Sequence, residues 1–383
     1  MRRTSTRRAW RACASVAIFA CSAFIAAQPS RSQAAAGNVT GGCVTRFDAS
    51  SDYFPDKVAI EDAANFTVDY HESYKVVTLR EAYAGGPPER YVLVQCGAPA
   101  PTLAGPLAGA QVVTVPTQSM FALSTTHLPL LVDLDRVDVL TGISEQLAID
   151  VERVITSKPA LFMAGSASTP ALAVIRSAGI PVVANTEWLE RTALGRAEWI
   201  KYMAVFLNEE RRAQSLYAAM KDRYRALRAR ATAVPENVRP LVMTGRSTRG
   251  TFVIAGGRSY VAALIRDAGG RYVWADNTAT GSASIDLEAQ IRRASNADIW
   301  INGGGWKSRA AMLEDEPRYA EFKAYQSGRV WVYERRLTQA GSNDYWSRSI
   351  THPDIVLADL VKVFHPSLVP AHAFEWYMPV PAR

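Results

Sequence analysis

Residues 138–185 constrain the fold most. "DVLTGIS", "ALFMAG" and "IPVVAN" are short apolar, partly β-branched runs. Between them lie "DVERVITSKP" and "TPALAVIRSAG", whose apolar residues recur at helical spacing. Pro159 and Gly179 stop the two helices, and Pro170 falls in the first turn of the second. Strands that alternate with helices need long crossovers, and a crossover helix sets successive strands parallel. The segment therefore predicts a parallel sheet covered by helices.

The same rhythm returns later in "RPLVMTG", "GGRSYVAALIRDAGG", "SIDLEAQIRRASNA", "DIWING", "DEPRYAEFKAYQSG", "RVWVYE" and "DIVLADLVKVFHP". These read as strand, helix, helix, strand, helix, strand and helix. Between the two series, "EERRAQSLYAAMKDRYRALRARA" runs without Gly or Pro, with Leu216, Met220, Tyr224 and Leu227 on one stripe. Asn208 reads as its cap, with Glu209 and Glu210 favourable to the helix dipole. Upstream, "FTVDYHESYKVVTLREAY", "RYVLVQCGAP" and "AQVVTVP" read as strands, the first two joined through "GGPPE". The fold class expected is α/β: two lobes, each a mainly parallel sheet with flanking helices, joined by one long helix, with an extra N-terminal β segment. The boundaries read are 1–36 for an export signal, 37–109 for the extension, 110–207 for lobe 1, 208–232 for the interlobe helix and 233–383 for lobe 2.

The first 36 residues pair the basic, acid-free "MRRTSTRRAWR" with the apolar "ACASVAIFACSAFIAA" and the small residues of "SQAAAG". The expected product is an exported protein, in the periplasm, free or membrane-tethered. The formal charge of +7 includes six arginines from this segment, so the remainder carries +1. The basic balance is therefore no argument for a nucleic-acid partner. Cys43 and Cys96 are an even pair in an exported chain, so a disulfide is expected, two free thiols being the alternative. The five histidines are scattered and show no metal-ligand spacing, and no bound metal or covalent cofactor is expected.

Ligands on parallel α/β sheets bind beyond the carboxyl ends of the strands. That rule selects Gln118 and Ser119, Ser166, and Asn185, Glu187 and Trp188 in the first series. In the second it selects Arg246, Arg249, Trp306 and Arg335. Guanidinium forks suit anionic oxygens, and Trp and Tyr cover an organic shell.

The order and spacing of "DVERVITSKPALFMAG", "AVIRSAGIPVV", "NTEWLERTALGRAEWIKYMA", "GGRSYVAALIRDAGG" and "IDLEAQIRRASNADIWI" resemble the periplasmic solute-binding proteins of ABC importers. The resemblance is to the class that carries ferric siderophores, cobalamin and haem. It covers residues 110 to 370 and implies two lobes on a stiff helix with the ligand between them. It also implies a non-enzymatic monomer that hands an iron chelate to a permease with its ATPase. Glu288 lies where the resemblance puts a permease-docking acid, while "SASTPAL" in lobe 1 lacks one. Haem is an alternative ligand that would use Tyr260 as an axial group, and cobalamin is another. An exported α/β hydrolase is the alternative of a different class. Against it, the sequence has no Gly-x-Ser-x-Gly elbow and no phosphate-cradling loop.

Overall fold

Four sheets carry the architecture of the protein, a computed structural model that describes residues 37–144, 148–165, 169–248, 250–338 and 341–383. Residues 1–36, expected to be an export signal, lie outside the described residues, as do Ser166 and Arg249. Strands β1 (Phe66–Tyr70), β2 (Tyr74–Leu79) and β3 (Glu89–Gln95) form an antiparallel meander. β4 (Gln111–Val115) joins it parallel to β3. The N-terminal sheet thus continues past residue 109, and β4 belongs to it rather than to the first lobe. Cys43 and Cys96 are disulfide-bonded, closing a separation of 53 residues at the end of β3.

The first parallel sheet contains β5 (Met120–Ala122), β6 (Leu140–Ile143), β7 (Leu161–Ala164) and β8 (Val182–Ala184), in the order β6-β5-β7-β8. Its crossovers carry α1 (Leu128–Asp133), α2 (Val151–Ser157) and α3 (Pro170–Ser177). Asp150 and Thr169 cap α2 and α3 by accepting from Arg153 N and Leu172 N. Beyond β8 come α4 (Ala193–Ala197), α5 (Trp199–Leu207) and the long α6 (Glu210–Thr232). Every residue of α5 is buried, which its "WIKYMAVFL" sequence anticipates for a core helix. Asn208 does not cap α6. It ends α5 in the left-handed region at φ 59°, and its side-chain oxygen accepts from the buried Lys75 ammonium at 2.8 Å. The buried face of α6 runs through Ala213, Tyr217, Met220, Tyr224 and Ala231. Leu216, expected on that stripe, is 38% exposed, because Tyr217 takes the inward position.

The second half holds β9 (Leu241–Thr244), β10 (Arg246–Thr248), β11 (Thr251–Ala255), α7 (Tyr260–Asp267), β12 (Arg271–Tyr272), β13 (Ser282–Asp286), α8 (Leu287–Ala294) and β14 (Ile299–Ile301). After these come α9 (Arg309–Asp315), α10 (Lys323–Gln326), β15 (Val330–Val332), α11 (Tyr345–Arg348), α12 (Pro353–Phe364) and β16 (Met378–Pro379). The main sheet runs β12-β9-β14-β15-β16, parallel except for β16. A separate antiparallel sheet, β10-β11-β13, was not expected. It takes "SASID" out of the expected helix, which begins only after Asp286 caps Ala289 N.

One apolar cluster joins Phe66 and Tyr91 of the N-terminal sheet, α5, α6, and Ile265 and Leu360 of the second half. Two smaller clusters fill the outer sides of the parallel sheets. Residues Gly37–Arg383 accordingly form one compact unit, with the extension built into the main core. None of the described helices is long and apolar enough to cross a membrane.

Candidate ligand-binding site

Strands β9, β14 and β15 are parallel and end together, leaving a cavity of about 460 Å³ beyond Thr244, Ile301 and Val332. The sequence after β14, "NGGG", shapes its floor. A Cβ at Gly303 would lie 2.2 Å from the Trp306 ring, and one at Gly304 (φ 128°) 2.9 Å from Arg246 Nη1. Only glycine lets an indole pack beneath the loop while a guanidinium lies along it. Arg246 opens β10 on the cavity wall, and its side chain makes no hydrogen bond or ion pair to the described residues.

Aromatic rings supply much of the remaining wall. Tyr333 and Tyr345 stack with centroids 4.5 Å apart, and Trp346 meets Tyr333 edge-on at 5.3 Å. Trp346 is 51% exposed. Tyr260 begins α7, held there by Ser259, which caps Ala262 N. Burial pushes the Tyr345 hydroxyl well above the usual phenol range, so it stays protonated at neutral pH. Burial also raises the Glu334 carboxyl, and the Arg246 charge opposes that shift.

Among the described residues only those of the second half line this cavity, and two elements of the first half pack behind its wall. The short 3-10 turn Thr125–His127, at the carboxyl end of β5, packs against α11. His127 is 1% exposed and its Nδ1 has no partner, and burial drives its pKa down to about 3. The second element is Arg196 on α4. Its guanidinium lies 4.4 Å over the Tyr260 ring and bonds to the buried Glu187 carboxylate at 3.0 Å. Burial disfavours the charged Arg196, but Glu187 more than offsets this and holds the guanidinium protonated.

The expected site residues divide accordingly. Arg246 and Tyr260 line the cavity. Trp188 lies at the carboxyl ends of β7 and β8, 47% exposed, its Nε1 donating to Gly165 O at 3.2 Å. Asn185 is buried beside it, with its Oδ1 accepting from Glu187 N at 3.4 Å. Five expected residues are placed away from the cavity. Gln118 and Ser119 precede β5 and so sit at the amino end of the parallel sheet. Ser119 Oγ accepts there from Ala160 N, just before β7. Glu187 faces Arg196 and is spent in that ion pair. Trp306 is 6% exposed and donates to Asp315 at 2.7 Å, inside a cluster with Trp300 and Tyr319. Arg335 turns away from the cavity, its Nε donating to Phe374 O at 2.9 Å. Glu288 is on the surface and bonded to Arg318 at 2.6 Å.

Tyr333 and Glu334 were one step from the expected Arg335. The strand-end rule reaches them if β15 is ended at Val332, where its buried alternation stops. Arg196 carried no sequence signal, because an arginine within a helical run reads as solvated surface. No group of three or more His, Cys, Asp or Glu side chains gathers to hold a metal among the described residues.

Fold and site together define a two-lobed α/β binding protein: parallel sheets, a connecting helix, and a polar-aromatic cavity at the strand ends. The chain belongs to the Periplasmic binding protein family, whose profile matches residues 116–337, more than half of the sequence. An uncharacterized lipoprotein of Methanocaldococcus jannaschii is 30% identical over 181 residues, which are 47% of this chain and 41% of that protein. The chain thus matches less than half the length of that relative. Among solved structures, a periplasmic heme binding protein from Pseudomonas aeruginosa aligns with TM-score 0.54 and 18% identity. That alignment covers 66% of this chain and 94% of the other. A possible iron-binding (periplasmic solute-binding) protein from Staphylococcus epidermidis gives TM-score 0.51 and 18% identity, over 65% and 98% of the two chains. At these identities the likeness speaks for the fold.

Proposed function

We propose that the protein is the solute-binding component of an ABC importer. It captures a ferric siderophore in the cavity at the ends of β9, β14 and β15 and passes it to a membrane permease with its ATPase. It is exported to the periplasm and performs no chemistry on its cargo. The observation that carries this reading is one juxtaposition: an Arg246 guanidinium with no ion-pair partner among the described residues, beside the Tyr260, Tyr333, Tyr345 and Trp346 rings, around about 460 Å³. A ferric chelate presents anionic or carbonyl oxygens near the metal and apolar arms around them. A guanidinium fork takes the oxygens and rigid rings cover the arms. The volume is in the range of small-molecule sites, about 300–1,000 Å³.

The test is titration of the purified protein with ferric hydroxamates, ferric catecholates, cobalamin and haem, read by tryptophan fluorescence and calorimetry. Saturable binding of one ferric chelate is expected, weakened about tenfold or more in Trp346→Ala, which removes a ring from the cavity wall. Saturation by haem or cobalamin alone would reassign the cargo within the class. No response to any of the four would overturn the reading, as would turnover of an ester lost on one serine substitution.

A further inference from the structure

The Glu334 carboxylate is the feature of the cavity that binding of oxygen-rich chelates leaves unexplained. It follows Tyr333 at the end of β15 and lines the same cavity as Arg246. Its Oε2 is enclosed by protein and has no partner in good hydrogen-bond geometry among the described residues, although the Tyr333 and Glu334 amides lie close enough to favour its ionised form. Its Oε1 flanks Gly305, 3.6 Å from where a Cβ would stand, and Gly305 itself lines the cavity. Among the described residues, no Lys, Arg or His nitrogen lies within ion-pair distance of this carboxylate. Arg246 acts on it only at longer range. A carboxylate so placed costs free energy unless a donor or cation comes to it.

Its neighbours say which kind of partner suits it. Tyr333 precedes it in the chain, and Tyr345 and Trp346 complete a group of rings on the same wall. Ring faces attract cations, and a carboxylate beside them adds to that attraction. A guanidinium and a carboxylate that stay apart across one cavity fit a ligand bearing both charges.

We propose that Glu334 selects the cargo: it receives a protonated primary amine on the periphery of a ferric chelate, while Arg246 takes oxygens of the chelating groups. This rests on the reading of the cavity as a ferric-chelate site and narrows the substrate class to chelates with a pendant ammonium. Burial of the Glu334 carboxyl raises its pKa, and an arriving ammonium would oppose that shift by favouring the ionised form.

The experiment compares two linear ferric trihydroxamates, one ending in a primary amine and the other in its N-acetylated form. Both are titrated by calorimetry at pH 7.5 into the wild-type protein and Glu334→Gln, with thermal melts confirming equal folding. The wild type should bind the amine form about tenfold or more tightly. Glu334→Gln should lose that preference by weakening the amine form alone, leaving the acetylated form within about twofold. A wild type that binds both forms equally overturns the assignment and leaves the chelate site standing. So does a variant that weakens both alike, which would make Glu334 a packing residue. Binding of neither form, nor of any other ferric chelate, strikes the chelate reading and takes this assignment with it.

Discussion

Replacing Glu198 with glutamine tests how the N-terminal extension is fixed to the rest of the molecule. Glu198 is fully buried. Its Oε2 accepts from Asp62 N at 2.6 Å, Ala63 N at 2.7 Å and Glu61 N at 3.0 Å. Its Oε1 accepts from the buried Lys201 ammonium at 2.6 Å and shares Glu61 N at 2.9 Å. Glutamine keeps one oxygen for the three amides and turns its nitrogen toward Lys201. The ammonium then retains Ala59 O at 2.7 Å and the more distant Glu61 at 3.6 Å. Breaking a buried pair costs about 3–5 kcal/mol, and the remaining partners place this one near about 3 kcal/mol. The unit Gly37–Arg383 holds 347 residues. At about 2.1 cal/mol/K per residue, its unfolding entropy is about 0.7 kcal/mol/K, so the midpoint should fall by about 4 °C. Calorimetric melting and urea titration both measure the loss. Chelate affinity should hold within about twofold, since Glu198 touches no residue of the cavity. The double variant Glu198→Gln/Lys201→Met should recover more than about 1 kcal/mol, because it removes the stranded charge. A single variant within about 1 °C of wild type, or a double variant no more stable than the single, would refute this account of the junction.

The other predictions concern pH and redox state. His127 titrates at 6.5 when unfolded and at about 3 when folded, so it loses nothing above pH 6.5 and destabilises the native state progressively below it. At pH 5 the penalty is about 2 kcal/mol, and His127→Leu should show a correspondingly shallower acid limb in urea titrations between pH 6.5 and 4. Parallel limbs would refute it. The Cys43–Cys96 bridge closes 53 residues, for which the chain-entropy relation gives about 4 kcal/mol. Cys43→Ser/Cys96→Ser should therefore melt about 5–6 °C lower, and an unchanged midpoint would show that the extension is held by its packing alone.

The parts of the fold legible in the sequence are those where one periodicity dominates. β7 and β8 are buried throughout, so they read as unbroken apolar runs, and the glycines and prolines beside them mark their ends. The hairpin β10-β11 was hidden because "RSTRGTFVIA" mixes exposed and buried positions over few residues. Its arginines read as loop residues rather than strand residues. The strand-end rule selects the loops after β9, β14 and β15, which border the cavity, but it cannot say which way a side chain turns. Trp306 follows a run of glycines, and Trp346 lies in the single-turn α11. One goes inward because Gly303 leaves room for its ring, and the other stays half-exposed on the Tyr333 ring. Nor can the rule see polarity consumed elsewhere. Glu187 looked available until Arg196, nine residues on, claimed it through the fold of α4. The error at Gln118 and Ser119 was topological. β4 looked like the strand before them in the same sheet, whereas it ends the N-terminal sheet and they enter the next one from its amino end.

The shared core bears on how the cavity can be filled. α6 is pinned to α7 by Tyr224 to Asp267 at 2.8 Å and to α12 by Arg223 to Asp354 at 2.7 Å. Met220, Tyr224, Leu264 and Leu360 lie in the same apolar cluster as α5. Opening the two halves widely would return such side chains to water at about 1.5–3 kcal/mol each, more than the free energy of binding a small ligand could readily offset. Displacements confined to the rim cost far less. Trp346 is already about half exposed, and α11 is a single turn with one buried residue, Tyr345. The physical economy of the fold therefore leaves this rim as the part freest to move, with α5, α6 and α12 as the part that stays still. The Glu187–Arg196–Tyr260 chain sits between the two and fixes the Tyr260 wall of the cavity to the first half.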